Sequence, residues 1–318
     1  MFDKLTQQFN PVVLLVVLLV LTTTNPVAAQ SRNGFDVDGA LIPAGEILHG
    51  GPGRDGIPSL DRPVFVPADA ASFLHEDDRV LGVEIDGIQR AYPIRILNYH
   101  EIVNDSIAGT PLVITFCPLC GSGMAFLSTF AGKQLEFGVS GLLYNSDVLL
   151  YDRDTDSLWS QLLGKAVTGK MKGTRMTAIP LSNTSWREWR SRHPATQVLS
   201  SDTGFRINYR ANPYPNYGKS GRLYFPVANE DRRYARKAMV MGLEIDGQFK
   251  VYPFEELANG PGRIADRFQG QNLEIQFDRG NRTAKILDHE GNEIPTVIAF
   301  WFAWYAFHPD TEVYTDSQ

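Results

Sequence analysis

Apolar positions along this chain mostly fall in short runs of strand length, rich in Val, Ile and Phe and bounded by Gly, Pro, Asn and Asp. Two such stretches, Val80 to Pro93 (VLGVEIDGIQRAYP) and Val240 to Pro253 (VMGLEIDGQFKVYP), align without a gap. In each, an Asp-Gly pair separates two strand-like segments: Asp86-Gly87 and Asp246-Gly247. This predicts a hairpin closed by a tight primed turn, whose centre needs positive φ. Each stretch then carries Tyr-Pro into a helical pattern, and proline suits the first turn of a helix.

A second match follows in the same order. Trp186-x-x-Trp189-x-x-x-His193-Pro194-x-Thr196-x-Val198 recurs as Trp301-x-x-Trp304-x-x-x-His308-Pro309-x-Thr311-x-Val313. Trp residues three apart share a helical face, and the residue before each proline resists the α region, so a helix ends there. Ser185 and Glu188 have the spacing of a capping box. His193 and His308, each closing a Trp helix, read as structural. The expected fold is therefore α+β: mostly antiparallel strands with short helices, internally duplicated as a hairpin–helix–strand–helix unit. The first copy is longer in its middle, and the extra length spans or adjoins Phe116 to Thr174, where both cysteines lie. The second copy has Gln276-Phe277-Asp278 where the first has Thr115-Phe116-Cys117, so chemistry is expected in the first copy alone.

The chain divides into residues 1–29, an expected signal peptide; 30–79, an extended N-terminal segment; 80–200, the first half with the cysteines; 201–237, an aromatic connecting loop; and 238–318, the degenerate second half. The apolar run from Pro11 to Leu21 falls short of the about 20 residues a membrane span needs, and Val27-Ala28-Ala29 suits signal cleavage. The expected location is periplasmic or extracellular, with no stable membrane span after cleavage. The net charge of −6 argues against nucleic acid as a partner, since that demands a basic surface. The loop around Asn212-Pro213-Tyr214-Pro215-Asn216-Tyr217 reads as ordered, because its aromatics want burial.

Candidate chemistry centres on Cys117-Pro118-Leu119-Cys120-Gly121, after the apolar strand Pro111 to Phe116. Cys-Pro-x-Cys-Gly suits a metal knuckle, in which both thiolates face one ion and glycine permits a left-handed turn. A structural zinc wants four ligands, so another residue must join; His100, just before the cysteine strand, is the best candidate. Cys117, Cys120 and His100 are thus the expected metal ligands, for copper or zinc, with Met124 near as a further soft donor. Glu101 has no firm role. A dithiol–disulfide redox pair and an inert structural disulfide remain open as alternatives, the latter paired with a non-catalytic module whose aromatic loop, Tyr209 to Tyr224, grips a small molecule. Gly121 excludes covalent haem attachment, because histidine is required there. Tyr144-Asn145-Ser146-Asp147 is either a turn or part of the site wall. Asp152-Arg153-Asp154-Thr155-Asp156 lacks the glycine and glutamate of a calcium loop, and Gly138-Val139-Ser140-Gly141 is one residue short of a nucleophile elbow.

Several runs carry a resemblance: Gly56-Ile57-Pro58, Ala91-Tyr92-Pro93, Asn98-Tyr99-His100-Glu101-Ile102-Val103-Asn104-Asp105, Cys117-Pro118-Leu119-Cys120-Gly121, Gly141 to Asp147 (GLLYNSD) and Leu158-Trp159-Ser160-Gln161. The chain resembles a family of exported bacterial and archaeal proteins known as domain of unknown function three-one-seven-nine. The resemblance covers most of the chain and implies membership without a settled reaction. The family pattern has Trp where this chain has Tyr99, and typically no Met at position 124, which weakens Met124 as a ligand.

Overall fold

The computed structural model describes residues 31–316. The expected signal segment lies outside them. Strands make up 41% of the structure and helices 12%, in a five-bladed β-propeller. The α+β expectation, with its repeated hairpin–helix–strand–helix unit, is overturned. Its helices are short connectors such as Ile94–His100, Trp186–Arg192 and Trp301–Phe307, which build no layer of their own. The segments that match in sequence are parts of separate blades.

One blade orders Ser182–Ser185, Arg79–Ile85, Ile88–Pro93, Gln197–Leu199 and Phe65–Pro67. Another orders Val297–Phe300, Met239–Ile245, Gln248–Pro253 and Glu312–Val313. Both turn their central hairpins on Asp-Gly at positive φ: Asp86 50° and Gly87 75°, Asp246 51° and Gly247 73°. Both accept a distant strand in parallel, Gln197–Leu199 on Ile88–Pro93 and Glu312–Val313 on Gln248–Pro253. Glycine is required in each: a Cβ on Gly82 would lie 2.3 Å from the Trp189 ring, and one on Gly242 2.1 Å from Trp304. Trp189 Nε1 donates to Thr196 Oγ1, and Trp304 Nε1 to Thr311 Oγ1, each at 3.0 Å. The closing histidines pack against these rings at a tilt, His193 at 4.2 Å from Trp189. His308 lies 3.8 Å from Phe249 and 4.3 Å from Trp304, and burial pulls its pKa down to about 3.

Two further blades contain Ile102–Ile107, Thr110–Cys117, Ser122–Leu127 and Thr177–Ile179 (the cysteine blade) and Arg263–Phe268, Gln271–Asp278, Thr283–Leu287 and Glu293–Ile294. The fifth, an insert blade, orders Lys165–Ala166, Leu158–Ser160, Asp147–Asp152, Phe137–Tyr144 and Leu48–His49. Asn104 locks the insert to the cysteine blade, donating to the Phe137 carbonyl (2.8 Å) and accepting from its N–H (2.9 Å). Ser140 sits at a bulge between Val139 and Leu142; its hydroxyl donates to the Leu149 carbonyl and accepts from Leu142 N–H, so it braces the strand. Asp152 likewise accepts from Trp159 Nε1 at 2.9 Å and caps Thr155, a turn and not an ion loop.

Candidate metal centre

The two cysteines occupy a hairpin turn. The strand Thr110–Cys117 is an apolar, β-branched run buried almost throughout, and it ends at Cys117, which pairs with Ser122. Pro118 to Gly121 therefore makes the turn, and Gly121 takes the left-handed conformation at φ 63°. Phe300 N–H donates to the Cys120 carbonyl at 2.8 Å, so a strand of another blade pins the turn. Both cysteines are buried and free.

A second hairpin, from the insert blade, meets the first. Asn145 and Ser146 turn at φ 51° and 65°, closing Phe137–Tyr144 on Asp147–Asp152. The Ser146 carbonyl accepts from both thiols, at 3.7 Å from Cys117 Sγ and 3.4 Å from Cys120 Sγ. The next residue, Asp147, completes a cluster. Its carboxylate and the two sulfurs all lie within 4.8 Å of one another, and all three residues are buried. The turn residues Tyr144 to Asp147 are thus both a turn and a wall of the site.

The two oxygens of Asp147 are held unequally. Oδ2 accepts from Leu162 N–H at 3.0 Å, whereas Oδ1 is buried with no hydrogen-bond partner. A buried acceptor without a partner is costly, and a cation shared with the two sulfurs would satisfy it. Burial pushes the Asp147 carboxyl up to about 7, against the downward pull of the Leu162 and Val148 N–H groups and of the two neighbouring thiols. Burial also raises both thiols, Cys120 well above the ordinary range. The short stretch after Trp159 joins the parts. Gln161 accepts from Ser122 Oγ (2.7 Å) and donates to Thr115 Oγ1 (2.8 Å), while Leu162 holds Asp147.

Beside the cluster lies a cavity of about 120 Å³, lined by Glu101, Cys117, Leu119, Tyr214, Tyr224 and Phe225 among others. Glu101 follows the helix Ile94–His100 at φ 57° and ψ −31°, a strained position for any residue but glycine. Its N–H donates to Leu97 and its carbonyl accepts from Phe116, which over-determines the backbone there. Burial, reinforced by the Asp147 charge, pushes its carboxyl up to about 8. The aromatic loop covers this region: Ser146 Oγ donates to the Phe225 carbonyl at 2.8 Å, and Ala228 N–H to Asn145 Oδ1 at 2.7 Å. The loop and the cysteines, taken from sequence as rival sites, form one.

His100 is placed differently from its partners in the expected ligand set. It is buried, with Nδ1 at 2.8 Å from the Pro58 carbonyl and Nε2 at 2.6 Å from the Tyr209 hydroxyl. A carbonyl accepts only, so Nδ1 carries the proton and Nε2 accepts from Tyr209. Both ring nitrogens are engaged, and among the described residues the cluster's third member is Asp147. Met124 lines a different cavity, with Glu244 and Phe249. Sequence reasoning missed Glu101 as a wall residue, and weighed Asp147 within Tyr144 to Asp147 as a turn or a wall of the site but not as a ligand. The signal for Asp147 was an acid at the head of an otherwise apolar strand, Val148 to Tyr151.

Fold and site together define a five-bladed β-propeller with a buried Cys–Cys–Asp cluster able to hold a metal ion. The chain belongs to the family described as "Protein of unknown function (DUF3179)", which matches residues 54–311 and takes in the whole cluster. No curated protein and no solved structure matches it.

Proposed function

We propose that this is an exported zinc-binding protein, with Zn²⁺ held by Cys117, Cys120 and Asp147 and a fourth position left to water or a small molecule from the adjoining cavity. The observation that carries the reading is the buried, unpartnered Asp147 Oδ1 beside two free sulfurs. Three protein ligands with one position open is the pattern of reactive zinc sites. A hard carboxylate joined to two thiolates suits zinc better than cuprous copper, which favours thiolate and thioether donors. Burial weighs against a redox role, since exchange needs accessible, low-pKa thiols and both are raised here. Glu101 faces the same cavity as Cys117 and would accept or return a proton there. Export rests on the apolar run from Pro11 to Leu21 and the small residues after it. No helix among the described residues is long and apolar enough to cross a membrane.

Elemental analysis of protein exported in its native host and purified without chelators tests the reading. About one zinc per chain is expected, lost in Cys117→Ser/Cys120→Ser and much reduced in Asp147→Asn while circular dichroism stays unchanged. Wild-type protein free of metal, or folded variants that keep it, would overturn the proposal.

A further inference from the structure

Phe116 and Gly121, which flank the cysteine pair, line a second cavity of about 350 Å³. Four cationic side chains line it, Arg79, Lys219, Lys237 and Arg282, and no acidic residue does. The chain as a whole carries −6, so this concentration of positive charge is local. Arg79 donates to the carbonyls of Asn281 (2.5 Å), Asn183 (2.6 Å) and Arg282 (3.2 Å) and to Asn183 Oδ1 (2.7 Å). Lys237 donates to the carbonyls of Tyr217 and Arg222, each at 2.7 Å, and stands 3.3 Å from the Tyr217 ring centre. These partners are neutral, and among the described residues none of the four cations forms an ion pair with a carboxylate. Glu188, the carboxylate whose charge reaches Arg79, is paired with Arg192. Burial and the facing Arg282 pull Arg79 down to about 10, and burial with Arg236 pulls Lys237 down to about 8. Like charges gathered in a partly desolvated cavity repel one another unless a counter-ion joins them.

We propose that this cavity binds a small polyvalent oxyanion of the phosphate type, either free phosphate or the phosphate group of a small ester. Arg282 offers a planar fork of donors and the two lysines offer compact charges, the combination that recognises phosphate oxygens, while Arg79, held by its carbonyl partners, adds fixed positive charge. The four residues come from separate elements. Arg79 begins the strand Arg79–Ile85, Lys219 lies in the aromatic loop and Lys237 at its end, and Arg282 lies in the turn before Thr283–Leu287. A bound anion therefore ties the loop that covers the cysteines to two blades. The proposal does not depend on the metal.

Isothermal titration at fixed ionic strength tests it, with inorganic phosphate, glycerol phosphate and citrate as probes. The double variant Lys219→Gln/Arg282→Gln removes two exposed side chains that hold no backbone carbonyl, so the fold stays intact; Lys170→Gln/Arg62→Gln, two exposed cations outside the cavity, is the matched-charge control. Phosphate should bind the wild type and the control alike, and the double variant at least tenfold more weakly. Tighter glycerol phosphate would identify an ester as the ligand, and equal or tighter inorganic phosphate the free ion. Absence of binding by either phosphate, equal affinity for the double variant and the control, or binding of citrate alone would overturn the proposal.

Discussion

Burial raises the carboxyls of Asp147 and Glu101 into the neutral range, and this fixes how the molecule responds to pH. A carboxyl whose folded pKa lies above its unfolded value contributes stability that is complete below the unfolded pKa and is lost as pH rises through the folded one. Asp147, at about 7 against 3.8, and Glu101, at about 8 against 4.5, place that loss between pH 3.8 and 8. Metal-free protein should therefore melt at falling temperature as pH rises across this window, and Glu101→Gln should flatten its upper part; a rising melting temperature would contradict the assignment. Zinc affinity should run the other way. Two raised thiols must release protons on binding, and below about pH 7 the Asp147 carboxyl must release a third, so affinity should climb by roughly two log units per pH unit above neutrality and more steeply below it. Competition with a zinc chelator from pH 6 to 8 measures the slope, and a flat profile would exclude thiolate ligation. Removing a ligand should cost more than the ~10–100-fold typical of an outer-shell change, so Asp147→Asn should exceed that loss. The cysteines were legible at this scale because their spacing and the apolar strand before them are local. Asp147 was not legible as a ligand, because it reaches them through a blade inserted between the strands Ser122–Leu127 and Thr177–Ile179 of the cysteine sheet.

At the scale of elements, the Trp helices and their glycines set the packing. Gly242→Ala would drive a methyl group into Trp304, and overpacking of this kind costs about 1–3 kcal/mol. Thr311→Val would leave the buried Trp304 N–H without its acceptor, at a cost of about 1–3 kcal/mol. Denaturant unfolding should show a lower midpoint for each, and an unchanged midpoint would remove the packing argument. Hairpin turns on Asp86-Gly87 and Asp246-Gly247, and the cap in which Ser185 Oγ accepts from Glu188 N–H, could be read from sequence because each lies within a few residues. The blades could not. The strand Gln197–Leu199 joins Ile88–Pro93 from far along the chain, and nothing local distinguishes that edge pairing from an α+β layer. The short helices carried too much weight in the expected class, whereas most of the buried residues lie on strands.

Across the whole molecule, three distant pieces close on one place: the cysteine hairpin, the insert blade with Asp147, and the aromatic loop with Tyr214, Tyr217 and Phe225. Ser146 holds the loop through the Phe225 carbonyl, so Ser146→Ala should speed limited proteolysis between residues 212 and 230 without changing cleavage elsewhere. Uniform cleavage rates would show that the loop is held by other contacts. The central claim is that one zinc sits between Cys117, Cys120 and Asp147. Zinc K-edge X-ray absorption on the natively purified protein tests it most directly. Two sulfur neighbours at about 2.3 Å and oxygen neighbours at about 2.0–2.2 Å are expected. A coordination shell without sulfur, or no zinc edge at all, would contradict it.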